Sequence, residues 1–475
     1  MVNWLGSLMG VVPWILFNHQ SFPRLGQISE VEVEPLVLTS VLLSLIVIYL
    51  AAKVGGEVCI RINLPPVLGE LIGGVIVGVS ALHWVVFAAT GDSSPPALIA
   101  LVGWVAGLQG EALLPVFQGQ SQVISVLAEL GVIMLLFEIG LESNLKELIR
   151  VGPQAAIVAV VGVAAPFIVG TTGLIALFGV ATIPAIFAGA ALTATSIGIT
   201  AKVLADLQQL NSTEGQIIIG AAVLDDVLGI IVLAVVASLA KTGEVQVLNV
   251  IYLLGGAVAF LIGSILIGRL LSPYFVVLVD RLRTRGQLLI TALIFAFLLA
   301  YLAAAIQLEA ILGAFAAGLI LAETSKHEEL QQQISPIADM LAPIFFIAVG
   351  ARTDVSVLNP LNPENHPGLV MASFLVLVAI LGKLLTGFVV FGQSGINRLA
   401  IGIGMIPRGE VGLVFAGVGA TSGVLSEALD AAIIVMVIFT TFLAPPLLRL
   451  VFQTTDDPDA RTPVVLETAN PVQKE

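Results

Sequence analysis

The sequence predicts an all-α polytopic membrane protein of about thirteen transmembrane helices, arranged as two inverted groups of six. Three observations carry that prediction. Of 475 residues, 58% are hydrophobic and 11% charged, with a mean hydropathy of +1.08; soluble domains do not run so low in charge over such a length. Apolar runs of about 17–25 residues recur along the chain, each long enough for the ~30 Å hydrocarbon core of a bilayer. The cations are segregated. With the loop after the first helix placed in the cytoplasm, fourteen of the nineteen Lys and Arg fall on that side and three outside. The remaining two, Lys383 and Arg408, lie inside apolar segments.

Taken in order, residues 1–34 form an N-terminal segment. Its apolar run Trp4–Phe17 lacks the basic flank of a signal peptide and stands open between a spanning and an interfacial helix. The membrane domain covers 35–452. Its helices are expected at 36–52, 64–83, 121–141, 154–178, 183–206, 214–240, 248–271, 287–306, 308–323, 335–351, 368–392, 396–422 and 427–452. Residues 84–120 read as a long loop around Gly91-Asp92-Ser93-Ser94-Pro95-Pro96, with a surface or re-entrant helix at Ala97–Leu108. The tail, 453–475, is polar, contains proline and is expected to be a disordered cytoplasmic segment. A single cysteine, Cys59, excludes an intrachain disulfide and a thiolate metal cluster. The formal charge is −13 and basic residues are too sparse for nucleic acid. The sequence contains no P-loop, no regular Arg ladder and no TVGYG-like filter. No cofactor is called for, and the reading is of a transporter rather than an enzyme.

The central stretch is Leu224-Asp225-Asp226-Val227, near the midpoint of the apolar run 216–240. One charge at bilayer depth costs roughly 2.5–3.5 kcal/mol by insertion measurements, and two adjacent ones also repel each other. Such a pair persists only against a wet cavity, a cation or a basic partner. Neighbours on a helix point about 100° apart, so one aspartate can face a cation while the other faces a fixed positive charge. Lys383, in mid-helix where it cannot snorkel out, is the candidate for that charge.

The seventh helix separates two groups of six that then have opposite orientation, as in inverted-repeat transporters. The fifth helix of each group is interrupted. The first reads Thr193-Ala194-Thr195-Ser196-Ile197-Gly198, the second Met405-Ile406-Pro407-Arg408-Gly409-Glu410. Broken helices at matching positions point to a midplane binding site. Thr195 and Ser196 offer hydroxyls there. With carboxylates and opened carbonyls these are hard ligands, suited to Na⁺, Li⁺ or H⁺. Na⁺ is thus expected at Asp226 and Asp225. Glu138, Arg408, Glu410 and Glu70 read as structural ion pairs with a role in pH response, Arg408 having Glu138, Glu410 or Glu70 as partner.

These segments, together with Leu64-Pro65-Pro66-Val67-Leu68-Gly69-Glu70-Leu71 and Phe345-Phe346-Ile347-Ala348-Val349-Gly350, resemble the bacterial monovalent cation/proton antiporters of the second cation–proton antiporter family, from about Val37 to Leu450. The resemblance implies thirteen helices in a dimerisation domain and a mobile core, the broken fifth and twelfth helices crossing, a homodimer, and elevator-like alternating access. It makes Asp226 the ion-binding carboxylate, Asp225 the partner of Lys383, and Thr195 part of the unwound crossing. Members with Asp-Asp are typically electrogenic Na⁺/H⁺ exchangers. K⁺/H⁺ exchange and an ion-coupled solute symporter are the alternatives. The long loop 84–120 departs from the family pattern and resembles cyanobacterial members, which makes a thylakoid membrane the alternative to the bacterial inner membrane.

Overall fold

The computed structural model describes residues 30–88, 96–108, 110–242, 247–359, 361, 366–392, 395–409, 412, 414–415, 419 and 423–453. The run Trp4–Phe17, Glu410 and the tail beyond 453 lie outside the described residues. The α-helices are α1 (Glu30–Arg61), α2 (Pro66–Val77), α3 (Ala97–Ala106), α4 (Leu114–Glu142), α5 (Leu145–Arg150), α6 (Gly152–Phe178), α7 (Thr182–Ala191), α8 (Ile197–Asp206), α9 (Thr213–Thr242), α10 (Val247–Arg281), α11 (Gln287–Ala305), α12 (Ala310–Ala322), α13 (His327–Ala351), α14 (His366–Phe388), α15 (Arg398–Gly404) and α16 (Glu427–Gln453). Among the described residues, nine of these are long and apolar enough to cross a membrane: α1, α4, α6, α9, α10, α11, α13, α14 and α16. The other four expected crossings appear as shorter pieces: α2, the pair α7 and α8, α12, and α15.

Several helices outrun the apolar runs that announced them. Hydropathy marks where lipid lies, and a helix continues past it wherever its polar turns are satisfied. At the end of α1, Arg61 Nε lies 2.9 Å from Glu57 Oε1, a one-turn ion pair. The first turn of α13 holds Glu328 and Glu329, the favourable sign for a helix N-terminus. α4 starts at Leu114, not near 121, because Pro115 stands in its first turn, where a missing N–H costs nothing. The loop expected at 84–120 is shortened to that extent, and α3 occupies its middle.

The helices pack as two groups. One, the scaffold group, contains α1, α2, α4, α11, α12 and α13, with α10 along its flank; the other, the site group, contains α6, α7, α9, α14, α15 and α16. In crossing order the scaffold holds the first three and the eighth to tenth, and the site group the fourth to sixth and the last three. Each group therefore draws equally on both halves of the chain, as an inverted repeat requires.

In the scaffold the repeat is visible side chain by side chain. α2 reads Pro66-Val67-Leu68-Gly69 and then Gly73-Gly74; α12 reads Ala310-Ile311-Leu312-Gly313 and then Ala317-Gly318. A Cβ on Gly69 would strike the carbonyl of Gly55, and one on Gly313 that of Leu299. Gly74 presses in the same way on α13 at Ile347 and Gly350, and Gly318 on α4 at Phe137 and Gly140. Such small-residue seams let helix backbones touch inside a membrane. The ends of α4 and α13 match too. Ser143 Oγ donates to Ile139 O (2.7 Å) and Thr353 Oγ1 to Val349 O (3.0 Å). The next residue caps the following turn in each case: Asn144 Oδ1 accepts from Lys146 N and Glu147 N, and Asp354 Oδ1 from Ser356 N.

Candidate cation site

The site group is broken twice. α7 ends at Ala191, and the chain is unwound through Thr193–Ser196 before α8 begins at Ile197. Thr and Ser here divert the backbone from helix: Thr193 Oγ1 donates to Ala190 O at 2.8 Å. α15 ends at Gly404, and residues 406–409 are non-helical. Pro407 enforces that break, since it lacks an N–H and disfavours helix in the residue before it.

The two unwound stretches meet. Ser196 N donates to Pro407 O (2.8 Å), Thr195 Oγ1 to Met405 O (3.2 Å) and Thr200 Oγ1 to Gly404 O (2.9 Å). Carbonyls orphaned at the end of α15 are thus capped from the first break. The end of α7 is capped by cations instead. Arg408 Nη2 donates to Leu192 O (2.5 Å) and Lys383 Nζ to Thr193 O (2.7 Å), positive charges at the negative end of a half-helix. Arg408 Nη1 also donates to Ile406 O (2.6 Å), and Thr441 Oγ1 of α16 donates to Arg408 O (2.5 Å).

The two aspartates of α9 diverge, as helical geometry dictates. Asp225 is 0% exposed, and its Oδ2 lies 3.3 Å from Lys383 Nζ, itself 0% exposed. Gly162 of α6 makes room for the ammonium: a Cβ there would come within 3.3 Å of Nζ. Asp226, 6% exposed, lines a small cavity with Thr195, Ser196 and Gly409 of the site group and Val132, Glu309 and Ile311 of the scaffold. The cavity is small, with room for about one water or one bare monovalent cation.

Six of the residues singled out in the sequence therefore converge: Asp225, Asp226, Thr195, Ser196, Lys383 and Arg408. Glu70 and Glu138 do not join them. Arg408 bonds carbonyls of the two breaks, Ile406 O and Leu192 O, acceptors that a broken helix leaves open. Glu138 lies beside Ser335, and both Glu70 and Glu138 share the field of Lys202. Lys202 Nζ is 3.4 Å from Asp206 Oδ1 and 4.0 Å from Asp339 Oδ1. The expected pairing of Arg408 with Glu70 or Glu138 is thus replaced by a separate cluster around Lys202. Glu309 was missed. It stands in the short turn between α11 and α12, and only its place as a lone acid before Ala310-Ile311-Leu312 hinted at depth.

The family model described as sodium/hydrogen exchanger, transmembrane, matches residues 21–454. A protein of Synechocystis named high-affinity Na⁺/H⁺ antiporter NhaS3 is 68% identical over 426 residues, which cover 90% of this chain and 92% of that one. The Na⁺/H⁺-K⁺ antiporter GerN of Bacillus cereus is 32% identical over 86% of this chain and 95% of its own. Among solved structures, the sodium proton antiporter MjNhaP1 of Methanocaldococcus jannaschii aligns with a TM-score of 0.58 at 16% identity, over 90% of this chain and all of that one, a likeness of fold.

Proposed function

The chain belongs to the sodium/hydrogen exchanger family, and from that premise we propose that it is a secondary antiporter in which Na⁺ and H⁺ compete for the carboxylate of Asp226. The observation that carries this reading is the division of labour between neighbours: Asp225 is paired with Lys383, whereas Asp226 faces a cavity of one-ion size. A carboxylate in so small a space accommodates a proton or a dehydrated cation, not both. Hydroxyls of Thr195 and Ser196 line the same cavity and supply further hard oxygens. The narrowness of the cavity beside Asp226 favours an ion over an organic solute and so weighs against the symporter alternative.

Exchange follows if the loaded site is exposed to one side of the membrane at a time. The cavity lies between the two helix groups, so displacement of the site group against the scaffold would change its access. Pairing of two scaffolds in a homodimer would anchor the scaffold against that displacement. The protein is a multi-pass membrane protein, and the Synechocystis relative makes the thylakoid a candidate membrane beside the plasma membrane.

The test is purified protein in proteoliposomes with an internal pH dye, challenged with Na⁺, Li⁺ and K⁺ in turn. Alkalinisation or acidification driven by Na⁺ is expected. A response to K⁺ alone would overturn the Na⁺ assignment in favour of K⁺/H⁺ exchange. We further propose that the cycle moves net charge, since two acids and Lys383 share the centre and more than one proton can leave per Na⁺ bound. Each net charge feels about 2.3 kcal/mol per 100 mV. Clamping the potential with K⁺ and valinomycin should alter the rate, and indifference to the clamp at a fixed proton gradient would show a neutral exchanger.

A further inference from the structure

We propose that Glu309 is a second carboxylate for the transported cation, contributed by the scaffold and engaged in only one of the two access states; the proposal rests on the antiporter reading above. Three observations lead to it. Glu309 lines the Asp226 cavity, and it does so from α12, a helix of the other group. It immediately precedes Ala310, the first residue of α12, so its backbone is fixed to the scaffold helix and not to the site group. The wall beside it is apolar, formed by Ile311 and Val132, so the carboxylate is placed where an arriving cation is poorly served by anything else on the scaffold side.

The geometry gives Glu309 a property that Asp226, Thr195 and Ser196 lack. Those three travel together, being carried on α9 and on the break between α7 and α8, and their mutual arrangement survives a rigid displacement of the site group. Glu309 stays behind with α12. A cation held between Asp226 and Glu309 in the arrangement seen here loses the second carboxylate once the site group moves. Its affinity then differs between the two faces of the membrane. A ligand with unequal affinity for two states biases the equilibrium between them by that difference, so Glu309 would also favour the loaded transporter in one orientation.

The experiment compares everted and right-side-out vesicles from a bacterial host without Na⁺/H⁺ antiporters of its own, carrying wild type, Asp226→Asn, Glu309→Gln or Glu309→Asp. Na⁺-driven proton flux gives KM for Na⁺ on each face. Glu309→Gln is expected to raise KM about tenfold, equivalent to ~1.4 kcal/mol, on one face and less than twofold on the other. Glu309→Asp, which keeps the charge on a shorter arm, should raise it by less and on the same face. An equal rise on both faces, or none on either, overturns the proposal. If Glu309→Gln does not fold, Glu309→Asp decides alone, and an unchanged KM on both faces is then the refutation. Flux in wild type with silence in Asp226→Asn upholds the antiporter reading independently. Absence of Na⁺-driven flux in wild type would instead sink that reading and the proposal with it.

Discussion

The scaffold group repeats its packing and its caps nearly residue for residue, whereas the two breaks of the site group present different chemistry. In the scaffold, Gly69 answers Gly313, Gly74 answers Gly318, Gly140 answers Gly350, Ser143 answers Thr353 and Asn144 answers Asp354. In the site group, one break offers hydroxyls and an N–H while the other offers Arg408. Packing asks the same of both halves, because a backbone meeting a backbone needs a small residue whichever way the helix runs. Coordination of one cation asks different things of the two halves. A perfectly symmetric centre would carry two Asp pairs or two lysines, and neither arrangement balances its own charge at depth.

The comparison can be broken most severely at Asp226. Asp226→Asn should abolish exchange while the protein still folds: losing one charged ligand worth about 1.5–3 kcal/mol weakens cation binding about 10- to 150-fold, and the amide cannot carry the exchanged proton. Near-normal flux in proteoliposomes would remove Asp226 from its assigned role. Next comes Lys383→Ala. Deleting one partner of a buried pair typically costs about 3–5 kcal/mol, though Asp225 recovers part of that by taking up a proton. The melting temperature in detergent should fall markedly, and an unchanged melt with intact transport would contradict the pairing.

In the scaffold the effects should be smaller and should come in matched pairs. Gly74→Ala and Gly318→Ala each force a methyl against a neighbouring carbonyl, and overpacking of this kind costs about 1–3 kcal/mol. Both should lower the melting temperature by similar amounts and leave the KM for Na⁺ alone. Smallest are the caps, Asn144→Ala and Asp354→Ala, at about 1 kcal/mol each. If one member of either pair proves silent, the equivalence is sequence resemblance without shared structural work.

How much of this was legible beforehand depended on contrast. Asp225, Asp226 and Lys383 stand out because a charge in an apolar run has few innocent explanations, and the breaks stand out because Thr195, Ser196 and Pro407 are poor helix formers in segments that are otherwise strongly apolar. The partners of Arg408 were not legible: backbone carbonyls carry no sequence signature, so a buried guanidinium was matched to the nearest acids by chemistry alone. Glu309 was hidden for a different reason: it falls at the start of the expected helix 308–323, where an acid reads as a favourable charge at a helix N-terminus. The inverted repeat was read from helix count and orientation, but its matching glycines and caps in the scaffold passed unnoticed because Gly-rich spacing is common in membrane helices, and only the backbone contacts distinguish the glycines that matter.

The short pieces around the site have an electrical consequence. α2, α7, α8 and α12 hold 12, 10, 10 and 13 residues, about 15–20 Å each at 1.5 Å per residue, against a hydrocarbon layer of about 30 Å. Wherever water follows such a recess inward it carries the bulk potential with it, and the voltage falls across the thinner insulating septum that remains. A field compressed in this way does its full work over a short stroke. The Asp225–Asp226–Lys383 centre then needs to shift only by the thickness of that septum to feel as much of the membrane voltage as a charge dragged across the entire bilayer.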